Sequence, residues 1–294
     1  MTVTEAEFTA VATGIHLGGL VVDGDTVWYS DVIGGGVYRV AADGAVLGWL
    51  PERRWVAGLL VNEDGAVLVS GPGGIVWLDP ATGRSGTLVG EVDGEPLPGV
   101  SEMCPDGRGG LYFGTVDLPA IENGERPGAT GLYRLDVDAN VSQLCGGLVF
   151  TNGIEISSDG GTLYHNESFV GTFAYPIGPD GDLGERRLVI EKEDCDGIAL
   201  DTDGNLWISG FFSREILCVT PAGDVLRRLS LPGGGMSNVC FGGDGRYLYA
   251  TATAPGASEE LRAGRIPTER NSVLYRIESR VTGRVVTRTR FCLT

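Results

Sequence analysis

Five side chains carry chemistry that the pattern around them does not require. Asn152 opens the run Asn152-Gly153-Ile154-Glu155-Ile156, and Asp196 opens Asp196-Gly197-Ile198-Ala199-Leu200. Each stands just before an alternating apolar stretch that reads as a strand, and each stretch leads to an Asp-Gly turn, at 159–160 and 203–204. Ser101, followed by Glu102, holds the same place in an earlier stretch. His16 lies two residues before Gly18, which puts both on one face of an extended strand. Amide and carboxylate oxygens suit a hard cation, and a cation so held polarises a carbonyl and lowers the pKa of bound water. An imidazole moves protons near neutral pH. The chain has no G-x-S-x-G elbow, phosphate loop, dinucleotide fingerprint or metalloprotease helix motif, and the sequence sets no base beside Ser101.

Groups so far apart in the chain act together only if the fold brings them to one point. Six unequal repeats start near Gly18, Gly58, Ser101, Asn152, Asp196 and Ser237, at intervals of 40, 43, 51, 44 and 41 residues. Each runs through an alternating strand to an Asp-Gly turn and on into strands rich in aromatic and β-branched residues, such as 27–30, 111–114 and 206–209. Four strands per repeat and a period near 45 residues describe the blades of an all-β, six-bladed β-propeller formed by residues 1–294 as a single domain. Residues 7–13 have strand character but precede the first repeat. They are expected to close the last blade as its outer strand, pairing near 285–291. Two long connections, 116–130 and 254–271, each follow a second strand and should emerge at one end of the propeller as lids or rims.

Composition narrows the partners. Lys and Arg number 22 against 39 Asp and Glu, a net charge of −17 that repels nucleic acid and anionic membrane and points to a small-molecule partner. The six cysteines (104, 145, 195, 218, 240 and 292) are scattered singly, without zinc-site spacing, and read as reduced thiols. Residues 1–14 show no basic segment followed by an apolar one, and no apolar run approaches the roughly 20 residues that span a bilayer. These features predict a soluble, cytoplasmic protein.

Three units together carry a resemblance. Thr151-Asn152-Gly153-Ile154 with Leu163-Tyr164-His165-Asn166-Glu167-Ser168, Asp196-Gly197-Ile198 with Asp203-Gly204-Asn205-Leu206-Trp207, and Ser237-Asn238-Val239-Cys240-Phe241-Gly242-Gly243 with Leu248-Tyr249 resemble the SMP-30/gluconolactonase/luciferin-regenerating family, in the same order over nearly the whole chain. The resemblance implies a six-bladed propeller and, for many members, a metal-dependent lactonase or related esterase. A divalent cation, often Ca²⁺ or Zn²⁺, is then expected in the central channel, held by a Glu of the first blade, Asn residues and an Asp. Asn152 matches the metal-binding Asn, and Asp196 matches the Asp that is also the proposed base. Two positions depart from the family: Gly18-Gly19-Leu20 stands where Glu-Gly-Pro is usual, and Ser101 stands at the second Asn. The first-blade carboxylate is therefore missing, and His16 or Glu102 is the available substitute.

These residues support a lactonase-like hydrolase opening a lactone or ester in the channel, with Asp196 and His16 catalytic, Ser101, Glu102 and Asn152 binding substrate, and Asn152 and Asp196 binding a metal. Two alternatives share the scaffold. One is a metal-free cyclase, isomerase or lyase, motivated by Gly18; the other is a non-catalytic ligand-binding propeller.

Overall fold

The computed structural model describes residues 7–41, 43–123 and 125–293. The sequence reading of residues 1–14 as free of an export signal falls, over residues 1–6, outside the described residues. Six four-stranded antiparallel sheets form a ring of blades, each hydrogen-bonded in sequence order from the axis outward, except that the last recruits the N-terminal strand. The inner strands of blades 1 to 6 are Leu17–Asp23, Leu59–Val61, Val100–Pro105, Thr151–Ile156, Cys195–Leu200 and Met236–Gly242. Each packs against the next, and the sixth returns to the first. The Ser237 hydroxyl seals that join by donating to Leu17 O at 2.7 Å.

The core is divided in the same way. Six hydrophobic clusters lie between neighbouring blades, for example Leu20, Val22 and Tyr29 of blade 1 against Cys240, Tyr249 and Leu274 of blade 6. Every blade thus buries both faces, which explains strands that are apolar on both sides near the axis. The hairpins between first and second strands behave as their Asp-Gly pairs require, with turn glycines at positive φ from +58° at Gly24 to +88° at Gly65.

The N-terminal strand Phe8–Gly14 does lie outermost in blade 6, but its partner is Ser272–Glu278, from Phe8 opposite Ile277 to Gly14 opposite Ser272. The expected partner, 285–291, is elsewhere. With the outer edge of Ser272–Glu278 covered, the tail is free to cross the lower face. Arg284 N donates to Leu200 O, Thr289 N to Val61 O and Arg290 N to Gly109 O. The tail thereby ties blades 5, 2 and 3 together and buries Phe291 between blades 2 and 3. Among the described residues no helix is long and apolar enough to cross a membrane.

A candidate active site at the channel mouth

Pairing is interrupted where the inner strands begin. The register slips between Leu17 and Leu20, Val100 and Met103, Thr151 and Ile154, Cys195 and Ile198, and Met236 and Asn238. Bulges of this kind re-aim side chains, and here they release Gly18, Ser101, Glu102, Asn152, Asp196 and Ser237 toward one end of the axis. Glycines allow the convergence: a Cβ on Gly153 would lie 2.6 Å from Asp196 O. All five residues singled out from the sequence line one cavity of about 900 Å³ at this end.

Their environments differ. Asp196 is half-buried, and its carboxylate has no hydrogen-bond donor among the described residues. Desolvation first, and the charge of Asp194 second, push its pKa well above the ordinary aspartate value. Glu102 is also half-buried, and desolvation followed by the charge of Asp196 raises its pKa well above the ordinary range. One Glu102 oxygen accepts from Asn238 Nδ2 at 2.9 Å, while Asn238 Oδ1 is held by Val239 N at 2.8 Å. Asn152 donates to Ser168 Oγ at 2.8 Å, leaving its carbonyl oxygen open to the cavity. Ser101 is the least available. Its hydroxyl lies 2.7 Å from Thr151 Oγ1 and 3.2 Å from Gly114 O, bridging blades 3 and 4.

His16 is 8% exposed, and its Nδ1 has no partner among the described residues. Burial lowers its pKa to about 4 against the opposing effect of Asp31, so the ring is neutral at pH 7. The buried Asp31 carboxylate fixes the backbone beneath it, accepting from Ile15 N at 2.8 Å and His16 N at 3.1 Å. His16 comes from the turn before blade 1, and its ring packs 5.8 Å from that of Phe211.

Both long connections form walls of the cavity. The first folds into helix α1 (Leu118–Glu122), capped by Asp117, and Trp55 Nε1 ties it down by donating to Glu122 Oε1 at 2.7 Å. The second forms helix α2 (Ala257–Arg262), docked by an Arg214–Glu259 ion pair and by Arg262 stacked over Phe212. The sequence reading assigned no role to Asn238, Asp194 or Lys192. Ser237 repeats the position of Asn152 at the sixth inner strand, and Asn238 follows it as Glu102 follows Ser101, a signal legible in the sequence. Lys192, the lone lysine, is held 2.7 Å from Asp194 and 2.9 Å from Ser213 Oγ, and a one-dimensional pattern gives no sign of that cluster.

Beneath the carboxylates the channel narrows to a space of about 40 Å³ lined by Glu102, Cys104, Glu155, Cys240 and Arg284. Glu155 is paired there with Arg284 of the crossing tail. The tail thus closes the lower end.

Whether the upper residues fit a divalent cation turns on their donors. Among the described residues no three His, Cys, Asp or Glu side chains form a ready cluster. Two carboxylates, Glu102 and Asp196, nevertheless share the cavity with the open oxygen of Asn152, and no described cation neutralises them. This all-oxygen set fits a hard cation. A side chain at position 18 does not contribute, because a Cβ there would overlap Val32 Cγ2.

Comparison with known proteins agrees with this architecture. Residues 18–254 match the model of the SMP-30/gluconolactonase/LRE-like region. The 6-deoxy-6-sulfogluconolactonase of Pseudomonas putida is 30% identical over 80% of this chain and 81% of its own length. A luciferin-regenerating enzyme superposes with a TM-score of 0.83 at 18% identity, over 97% of this chain and 100% of that one. The calcium-binding protein regucalcin of Agrobacterium tumefaciens superposes at 0.82 with 20% identity, over 100% of both chains.

Proposed function

Since the chain belongs to the SMP-30/gluconolactonase/LRE-like family, we propose that it is a lactone hydrolase, opening a lactone or related ester at the foot of the channel-mouth cavity. The observation that carries the reading is Asp196, a carboxylate in the cavity that burial and Asp194 tune upward. A base is most effective when its pKa approaches the working pH. Asp196 takes a proton from water as the oxygen adds to the carbonyl carbon. It then returns that proton to the ring oxygen as the C–O bond breaks, leaving a hydroxy acid. Asn152, with its amide nitrogen engaged by Ser168, presents its oxygen to orient the water or substrate. Glu102, steadied by Asn238, supplies the carboxylate that the first inner strand lacks. His16 is neutral at pH 7 and lines the same cavity, where its ring hydrogen-bonds water or substrate. Ser101 shapes the wall beside them.

A divalent cation held by Glu102, Asn152 and Asp196 would, when bound, polarise the carbonyl and acidify water. The substrate is a small molecule, and free thiols at all six cysteines support a reducing, cytoplasmic setting. We read the chain as acting as one domain.

A second reading is favoured by the closed space at Gly18: a metal-free cyclisation, isomerisation or elimination driven by Asp196 and His16. One experiment separates the readings. Metal per chain is measured by elemental analysis with and without added Ca²⁺ or Zn²⁺, beside turnover of a lactone panel, for wild type and Asp196→Asn. The hydrolase reading expects lactone opening that falls about 10²- to 10⁴-fold in the variant, and the cation reading expects about one ion per chain. Hydrolysis without any ion would overturn metal assistance alone. No lactone opened under any condition would overturn the hydrolase reading.

A further inference from the structure

We infer, building on the lactonase reading, that the substrate is an uncharged lactone or ester with an alkyl or aryl tail, rather than a polyhydroxylated or anionic sugar lactone. The cavity is divided. Its foot holds the polar groups, while its walls present Trp55, Leu118, Ile121, Phe150, Phe169 and Phe212. A polyol needs a donor or an acceptor for every hydroxyl, because burying an unpaired one is costly. Donors at the foot are few and largely engaged: one N–H of Asn152 with Ser168, Ser168 with Cys195 O, Ser101 in its bridge to Thr151 and Gly114, and one N–H of Asn238 with Glu102. What is left open at the foot, the Asn152, Glu102 and Asp196 oxygens, can accept from the attacking water and from a hydroxyl beside the reacting ring, and the aromatic and aliphatic walls above offer no partner to the further hydroxyls of a polyol.

An anionic substituent fits no better. Glu102, Glu193, Asp194 and Asp196 all line the cavity of a chain with net charge −17. Among the described lining residues the one cation, Arg262, is at the exposed rim, stacked 5.2 Å over Phe212.

Two aromatic residues of the wall adopt a backbone conformation that bulky residues avoid. Phe169 has φ +72° and is 59% exposed; Trp55 has φ +59°. Bulky residues avoid this left-handed region, and strain of this kind is found at ligand clamps. Phe169 meets Phe150 edge-on, with ring centroids 6.1 Å apart, so the pair forms an apolar lip over the cavity.

The test uses two matched series on the full chain. δ-Lactones from valerolactone to decalactone, with glucono-δ-lactone and its 6-phosphate, are compared by kcat/KM. The corresponding δ-lactams, which are not hydrolysed, are compared by calorimetric affinity. The expected result is a rise of about 3- to 4-fold for each added methylene in both series, with the sugar lactones below the longest alkyl members. The slope should flatten in Phe169→Ser/Phe212→Ser, whose fold is checked by circular dichroism. Tighter binding or faster turnover of the sugar or phosphorylated compounds would overturn the inference while leaving the lactonase reading intact. Lactam affinity that climbs with tail length in a protein that opens no lactone would support the apolar-tail site and overturn only the hydrolase reading.

Discussion

The two ends of the central channel treat buried carboxylates in opposite ways. At the lower end Glu155 meets Arg284, delivered by the C-terminal tail. At the mouth Glu102 and Asp196 face the cavity with no described arginine or lysine paired to either, and each carries a raised pKa. Glu155 lies only three residues beyond Asn152 on the same inner strand, so the difference is not one of local sequence. The pKa of Glu155 is raised as well, by desolvation first, but Arg284 opposes that shift. An ion pair completes a structure, whereas uncompensated charge marks a place where a substrate, proton or cation is expected.

The sharpest test of that contrast sets Asp196→Asn against Arg284→Ala. The first should cost about 10²- to 10⁴-fold in kcat with a melting temperature no lower than that of wild type, since the raised pKa of Asp196 costs stability at neutral pH. The second should leave kcat nearly intact at low temperature but destabilise the chain by about 3–5 kcal/mol, because Glu155 is left charged and unpaired. Chemical denaturation and steady-state kinetics on both variants check this, and the contrast fails if the two profiles are alike.

Glu102→Gln should act through pH. Raised folded pKa values mean that the folded state keeps protons the unfolded state has released, so stability falls as pH rises from about 4 through the folded pKa. The variant escapes part of that loss. It should melt higher than wild type at pH 8, by about 2–4 °C for each kcal/mol relieved, and the two should converge near pH 4. Saturating Ca²⁺ should narrow the gap at pH 8 if a cation neutralises the pair. Calorimetric scans across pH measure both.

A smaller effect is expected from rebuilding the missing ligand. Gly18→Glu alone should lower stability by about 1–3 kcal/mol through overlap with Val32, without tightening a cation. Gly18→Glu/Val32→Ala should recover stability and tighten Ca²⁺ by about 10-fold, read by titration calorimetry.

Much of this was visible in one dimension. Asp-Gly turns at a period near 45 residues specify hairpins and their repetition, since tight turns need positive φ and alternating strands bury a defined face. The inner-strand polar positions follow from the same register, so the convergence of Asn152, Asp196, Ser101 and Glu102 on one cavity is legible in the sequence. The pairing of residues 7–13 is not legible, because two strand-like stretches, 272–278 and 285–291, compete for one edge and the first takes it. Pattern does not rank such rivals.

The sequence by itself determined the six-fold repeat and the residues at each bulge, because both depend on contacts within about ten residues. Only the tertiary structure decided which of those residues remain free. Hydrogen bonds across blade seams occupy Ser101; Val32 fills the space beside Gly18; Arg284 arrives 129 residues downstream of Glu155 to neutralise it. Desolvation and long-range charge depend on what the ring encloses, and that is defined only once all six blades have closed.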